Sequence, residues 1–460
     1  MDRIEQLRKF ISDAINPCKL PPNKKQPISI PDQPRTRISR SQVIAIGIMS
    51  ITTMGLLVVL SVPIIIAPTQ TPLKYNTENV IVKFNEGGDP IWDTRISIAN
   101  ASSKIHFEPD SICIIDCKSG GYAVASPIRC QRNETNTWGV LLCRIDESGA
   151  VVWKRIYDEL DIELGLSLIE IQSGRFVVAG TIQFRDEESN SWVQRVFLIY
   201  TDHSDDSYRI LDYPELTGVR LHSLVRCANG DLAIVGTTEI HSDNGSNVLL
   251  ARVAENGTLC CKTFIGDSLN DEGNSLIECS DGGFIVVGST QIDSSNKDVL
   301  IVRTSIDGSI IWNRTYEDEG ISVGWSVCAT NDGGCAVTGL RRLSSREAYK
   351  TLFLVVGPNG DEITRKPLYY PSQFRSYGFY DDCRGHAIVQ TDDDGFIIAG
   401  MVRYNHLIDE WGMMILKTDA SGNLLSNSTY GRNSWQMACS IVACEDRGCV
   451  VAGVRINPTR

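Results

Sequence analysis

The stretch Ser275-Leu-Ile-Glu-Cys-Ser-Asp-Gly-Gly-Phe-Ile-Val-Val-Gly288 is the clearest copy of a pattern that recurs along this chain. Its first five residues read as a short strand, Ser-Asp-Gly-Gly as a hairpin turn, and Phe-Ile-Val-Val-Gly as a second strand. Working outward, the polar loop 291–298 leads to a third strand at 299–304, and the turn 305–308 leads to a fourth at 309–316. The second and third strands are continuous apolar runs, the mark of strands covered on both faces. One repeat is therefore a four-stranded antiparallel unit that cannot bury both of its faces alone.

Equivalent copies end at Ser126, Gly180, Gly236, Gly288, Gly339, Gly400 and Gly453, with spacings of 54, 56, 52, 51, 61 and 53 residues. A strand-rich period in this range predicts a propeller. The ends complete the count. Asn79–Phe84 reads as a third strand and Asp89–Ile96 as a fourth, whereas the chain after Gly453 has supplied only first and second strands. Two strands from each terminus make one shared sheet, which leaves no free edge. The expectation is an all-β, seven-bladed β-propeller over 79–456 with 2+2 strand closure.

Val43–Ala67 holds 25 residues without a charge. About 20 apolar residues span a bilayer as a helix, so a single N-terminal transmembrane helix is expected there, acting as a signal-anchor. Residues 1–42 carry nine Lys or Arg against four acids, which predicts a cytoplasmic tail. Within that tail, 2–16 has the spacing of an amphipathic helix, and 68–78 reads as linker. The propeller is then extracytoplasmic, on a cell membrane. Removing the tail from the whole-chain counts leaves 35 basic and 52 acidic residues, a net charge of −17. Such a surface repels nucleic acid. Asn-x-Ser/Thr sequons at Asn100, Asn133, Asn244, Asn256, Asn313 and Asn427 all fall after the helix, as expected for glycosylation outside the cell.

The copies, followed by Asp-Val-Leu-Ile-Val-Arg-Thr and Asp-Gly-x-x-x-Trp, resemble the repeats of secreted archaeal and bacterial β-propellers grouped with the quinoprotein-dehydrogenase-like superfamily. The resemblance covers about 79–456. It implies that the Gly-x-x-x-Trp elements Gly88…Trp92, Gly149…Trp153 and Gly308…Trp312 staple adjacent blades. It implies the fold, and neither quinone binding nor glycosidase activity.

The chemistry is less legible. Third strands place a basic residue at one position in five repeats (Lys83, Arg144, Arg252, Arg303, Lys417), which reads as a repeated ion pair within the blade. Acidic loops such as Glu317–Glu319 read as solvated surface. If they converged at one mouth of the channel they would offer oxygen ligands to Ca²⁺; the residues indicate no other cofactor and leave its identity unknown. No catalytic residue set is identifiable. Cys444 and Cys449 flank one hairpin turn and Cys328 and Cys335 another, so each pair is a disulfide candidate. The longest spacing, before Gly400, carries an aromatic loop with Tyr369, Tyr370, Phe374, Arg375, Tyr377, Phe379 and Tyr380, the candidate binding loop. The function expected from this is a membrane-anchored module that binds a protein or glycan. The alternative is an extracytoplasmic enzyme, polysaccharide-acting or quinone- or metal-dependent, with its site at the channel mouth.

Overall fold

A computed structural model describes residues 75–458 other than 102–111, 133–134, 159–161, 186–191, 202–206, 239–244, 267–268, 345–346, 370–381, 406–409 and 432–433. The expected tail, its amphipathic helix and the transmembrane helix 43–67 lie outside these residues. Among the described residues no helix is long and apolar enough to cross a membrane.

The described residues form twenty-eight strands and no helix. They group as four-stranded antiparallel sheets in chain order, and one pair of these is joined by a single parallel bridge between Lys297 and Ile321. In the sheet that contains the quoted stretch, the strands are Asp271–Glu278, Phe284–Gln291, Lys297–Thr304 and Ile310–Tyr316. One sheet departs from chain order. Tyr75–Phe84 pairs with Pro90–Ala101 on one side and with Cys449–Pro458 on the other, and Val80 lies opposite Gly453. Both ends of the domain thus share a sheet, as the unmatched half-repeats require.

The first strands are Cys113–Asp116, Ile162–Gln172, Val219–Arg226, Asp271–Glu278, Ile321–Ala329, Asp382–Gln390 and Trp435–Ala443. Each neighbours the next, and Trp435–Ala443 neighbours Cys113–Asp116. This cyclic order around a central channel is that of a β-propeller.

Burial follows position within the sheet. Phe284–Gln291 and Lys297–Thr304 are buried along nearly their whole length, whereas Ile310–Tyr316 is exposed except at the half-buried Trp312 and the buried Tyr316. The core lies between sheets. Ile285, Val287, Val299 and Ile301 of one sheet pack against Val337, Leu352 and Leu354 of the next. Each such side chain, fully buried, stabilises the fold by roughly 1.5–3 kcal/mol.

Two devices tie neighbouring sheets together. The Trp92 indole donates to the Glu147 carbonyl at 3.1 Å and lies over Gly149, the turn glycine of the next sheet. Trp312 lies likewise against Gly360, where the hydroxyl of Tyr316 donates to the Gly360 carbonyl at 2.8 Å. At the inner edge, serine hydroxyls accept from first-strand amides of the neighbouring sheet. Ser167 accepts from Leu224 at 3.1 Å, Ser326 from Ile388 at 3.3 Å and Ser440 from Ile114 at 3.2 Å.

The repeated cations are structural too. Arg303 holds Asp281 of its own hairpin turn with two hydrogen bonds of 2.5 and 2.6 Å, and Lys83 holds Asp446 at 2.8 Å. Arg144 instead donates to backbone carbonyls, among them Tyr122 at 3.0 Å.

Neither candidate pair is bonded: Cys328, Cys335, Cys444 and Cys449 are free. Strand register explains this. Cys335 lies opposite Ala329, not Cys328, and Cys449 opposite Ala443, not Cys444. A shift of one residue along a strand turns the side chain to the other face. Cys335 therefore enters one inter-sheet core and Cys328 another, and Cys449 and Cys444 are separated in the same way.

Candidate functional site: the channel and its mouth

Each anchor glycine of the repeat faces a bulge. In the first strands the pairing skips the residue that follows the anchor's partner: His222 after Leu221 (opposite Gly236), Asn274 after Gly273 (opposite Gly288), Trp325 after Gly324 (opposite Gly339), His386 after Gly385 (opposite Gly400), and Cys439 after Ala438 (opposite Gly453). The bulge drives a carbonyl into the space beside the anchor. At Gly339 an added Cβ would collide with the Val323 carbonyl oxygen, and at Gly288 with that of Glu272. Only glycine tolerates this approach.

The bulges aim side chains into the channel. His222 lies fourteen positions before Gly236 (236 − 222), and Asn274, Trp325, His386 and Cys439 lie at the same distance from their anchors. Leu166 and Ile112 hold the same place before Gly180 and Ser126. All seven line one cavity of about 600 Å³, within the size range of small-ligand pockets. The cavity is two-sided. Cys439, Ile112 and Leu166 form an apolar arc, and His222, Asn274, Trp325 and His386 a polar and aromatic one.

His386 is buried and its Nδ1 lies 2.7 Å from the Ala438 carbonyl, a contact that requires the proton on Nδ1. Its ring packs on Trp325 with centroids 5.1 Å apart. Toward the end where the first strands begin, the wall adds Arg220, Gln194 and Glu272. Glu272 is the one carboxylate among the described lining residues. Its Oε1 accepts from Lys297 at 2.7 Å and its Oε2 from Ser289 at 3.0 Å. Burial lowers the Arg220 pKa, and the nearby Glu272 charge opposes that shift.

This end of the channel is the mouth. The four exposed aromatic side chains among the described residues, Trp192, Phe264, Tyr369 and Trp435, lie at strand ends on this side of the ring. Over one sector Trp435 joins a stack. Arg384 lies between Tyr349 (4.4 Å) and Trp411 (5.6 Å), and Trp411 meets Trp435 at 6.3 Å. Arg384 is held by Asp382 at 3.1 Å, which fixes the stack in place.

Two mouth carboxylates differ in environment. Asp298 is raised above the ordinary carboxylate range by burial. Burial also pushes Asp318 upward, but hydrogen bonds from Arg341 and Ser322 outweigh it and hold Asp318 below that range. The two are linked, since the Asp318 amide donates to Asp298 Oδ1 at 2.9 Å.

Of the binding-loop candidates, Tyr369 is exposed with Lys350 5.1 Å over its ring. Tyr370, Phe374, Arg375, Tyr377, Phe379 and Tyr380 lie outside the described residues. Asn256 and Asn313 are exposed sequons and Asn427 is half-buried, whereas Asn133 and Asn244 lie outside the described residues, as does the side chain of Asn100. Among the described residues no group of three or more His, Cys, Asp or Glu is placed to hold a metal. Instead Asp318, Asp382 and Glu272 hold Arg341, Arg384 and Lys297.

The channel-lining positions were not singled out in the sequence, because they carry no common residue type. The signal was nevertheless present as a fixed distance from the anchor.

No protein-family model matches the chain, and no curated protein matches it. Among solved structures, it is similar to the α-L-arabinofuranosidase of Fusarium graminearum in complex with arabinobiose. That match has a TM-score of 0.46 at 8% identity and covers 82% of this chain and 97% of the other. It is similar to the propeller domain of the Trilobed protease from Pyrococcus furiosus (TM-score 0.40, 12% identity, 72% and 87% covered). It is also similar to Sqt1 from Chaetomium thermophilum (TM-score 0.40, 11% identity, 76% and 97% covered).

Proposed function

We propose that this chain is a seven-bladed propeller, displayed outside the cell on the helix 43–67, that binds a glycan at the mouth of its channel. The observation that carries the reading is the aromatic sector of Tyr349, Trp411 and Trp435, on the side of the ring where the first strands begin, together with a two-sided cavity of about 600 Å³. Sugar rings present C–H faces that stack on such aromatics and hydroxyls that pair with Asn274, His222 and Gln194. A cavity of about 600 Å³ suits a sugar better than a folded protein surface, which needs a broad apolar patch. The seven-blade count is supported by the cyclic order of the first strands. The resemblance to the quinoprotein-dehydrogenase-like superfamily stays at the level of fold, since the Gly-x-x-x-Trp contacts are architectural.

A hydrolytic reading has one specific support. Asp298 and Asp318 are neighbouring carboxylates whose pKa values are driven apart, as a general acid and its partner require. Screening the full chain in detergent micelles against immobilised glycans separates the two. Binding that is lost in Trp411→Ala, without product release, supports the binding module. Release of reducing sugar that stops in Asp298→Asn overturns it in favour of a glycosidase.

A further inference from the structure

We propose that the mouth end of this domain docks on the membrane that anchors it, through a rim of exposed apolar side chains that enters the bilayer interface. This rests on the anchor reading of residues 43–67 above and is independent of what the channel binds.

The rim consists of Trp192, Phe264, Leu269, Ile292, Tyr369 and Trp435, which are 39–61% exposed. Trp192 opens a third strand and Trp435 a first strand, and Phe264 and Tyr369 lie where fourth strands finish. Leu269 and Ile292 lie in connections on the same side. Trp and Tyr, apolar rings with a polar edge, are the side chains that favour the membrane–water interface.

Exposed aliphatic residues at the opposite end of the sheets have a different origin. Ile91, Val152, Ile311, Ile363 and Leu425 each follow a turn glycine by three positions, at the start of a fourth strand. That recurrence makes them part of the repeated unit. The rim residues hold no common place in the repeat, and they still gather at one end of the ring.

The length of the chain decides which end can reach lipid. Tyr75 pairs with Pro458 and Ala101, at the ends of a second and a fourth strand, so Tyr75–Phe84 starts at the mouth and runs away from it. Between Tyr75 and the anchor stand only residues 68–74. Whatever their path, seven residues reach about 25 Å at most. The opposite end lies a further ten-residue strand away, about 30 Å. The mouth is therefore the end that the tether keeps within reach of the bilayer.

The attraction is apolar rather than electrostatic. The chain's formal net charge is −12, and the cations beside the rim are already paired, Lys350 with Glu347 at 3.0 Å and Arg384 with Asp382 at 3.1 Å. A zwitterionic bilayer therefore serves as the probe.

The test reconstitutes the full chain in phosphatidylcholine vesicles, with part of the lipid replaced by phosphatidylcholine brominated in its upper acyl chains. Bromine quenches tryptophan only at close approach, and all eight tryptophans follow residue 75. Trp192 and Trp435 are two of the eight, so about a quarter (2/8) of the emission should be quenched. Trp192→Phe with Trp435→Phe should remove at least half of that quenching. Leu269→Glu with Ile292→Glu should halve it without removing a reporter, with an unchanged melting temperature as the control for folding. Absence of quenching in a chain that alkaline carbonate fails to extract would overturn the docking and leave the anchor standing. Extraction by carbonate would overturn both. A dimer in detergent micelles, seen by light scattering and accompanied by no bromine quenching in vesicles, would overturn the docking and assign the rim to a second copy.

Discussion

The Ser440 hydroxyl accepts a hydrogen bond from the Ile114 amide at 3.2 Å, joining residues 326 positions apart in the chain. The same contact recurs between Ser326 and Ile388. At Ser440 it connects the last first strand to the earliest one, so the bond that links neighbours elsewhere here joins the two ends of the domain. Ile114 is buried, and Ser440→Ala leaves its amide without that acceptor. The expected loss is about 1–3 kcal/mol in urea denaturation. Deleting residues 449–460 removes the strand that lies between Asn79–Phe84 and Trp435–Ala443 and should abolish the cooperative melt.

Anchor glycines should be far less tolerant than turn glycines. Gly339→Ala places a methyl group against the Val323 carbonyl and should cost about 3 kcal/mol or more. Gly333 has φ of 85° but no atom nearer to an added Cβ than 3.8 Å, so Gly333→Ala should cost only about 1–2 kcal/mol. Equal losses at the two sites in parallel urea titrations would contradict the bulge account.

Asp298 and Asp318 should act on stability in opposite senses. Asp318 has a lowered pKa, so its contribution is present above the unfolded value of about 3.9 and is lost as pH falls through the folded value. Asp298 is raised, so its ionisation costs stability increasingly as pH climbs from the unfolded value through the folded one. Asp298→Asn keeps an oxygen to accept from the Asp318 amide and removes the charge. Its melting temperature should exceed the parent's at pH 7 and match it at pH 3. A lower melting temperature at pH 7 would show the charge to be stabilising.

Thiol chemistry should report strand register. Denatured without reductant, the chain should alkylate at Cys328, Cys335, Cys444 and Cys449, because each candidate pair points into different inter-sheet cores. A mass lower by two hydrogens across either hairpin peptide would reverse that assignment.

Trp411 sits in the stack between Arg384 and Trp435. Trp411→Ala should weaken glycan binding about tenfold, the loss expected for one aromatic platform, while the buried core is untouched. Titration of the best ligand from the glycan screen measures it.

Much of this molecule was legible from residues alone, for identifiable reasons. The AspGlyGly turn and the apolar runs around Phe284–Gly288 report local geometry, and the period repeats that report in every sheet. The basic residue of the third strand and the glycine-to-tryptophan elements repeat with the period, which marked them as parts of the blade. The cysteines misled because proximity across a turn was read without register. Cys335 sits one step from the pairing that would face Cys328, and one step reverses the face.

The sequence by itself determined the four-stranded unit, its recurrence, and the shared sheet built from Asn79–Phe84 and Gly453, because these depend on strand period and turn chemistry that neighbouring residues encode. Only the tertiary structure decided which side chain of each first strand enters the channel. That choice depends on a bulge formed when a second strand's anchor glycine lets a carbonyl approach, an event between strands rather than within one. His222, Asn274, Trp325 and His386 are scattered through the chain as unrelated residues, and they become one wall only because the ring brings those bulges to a common axis.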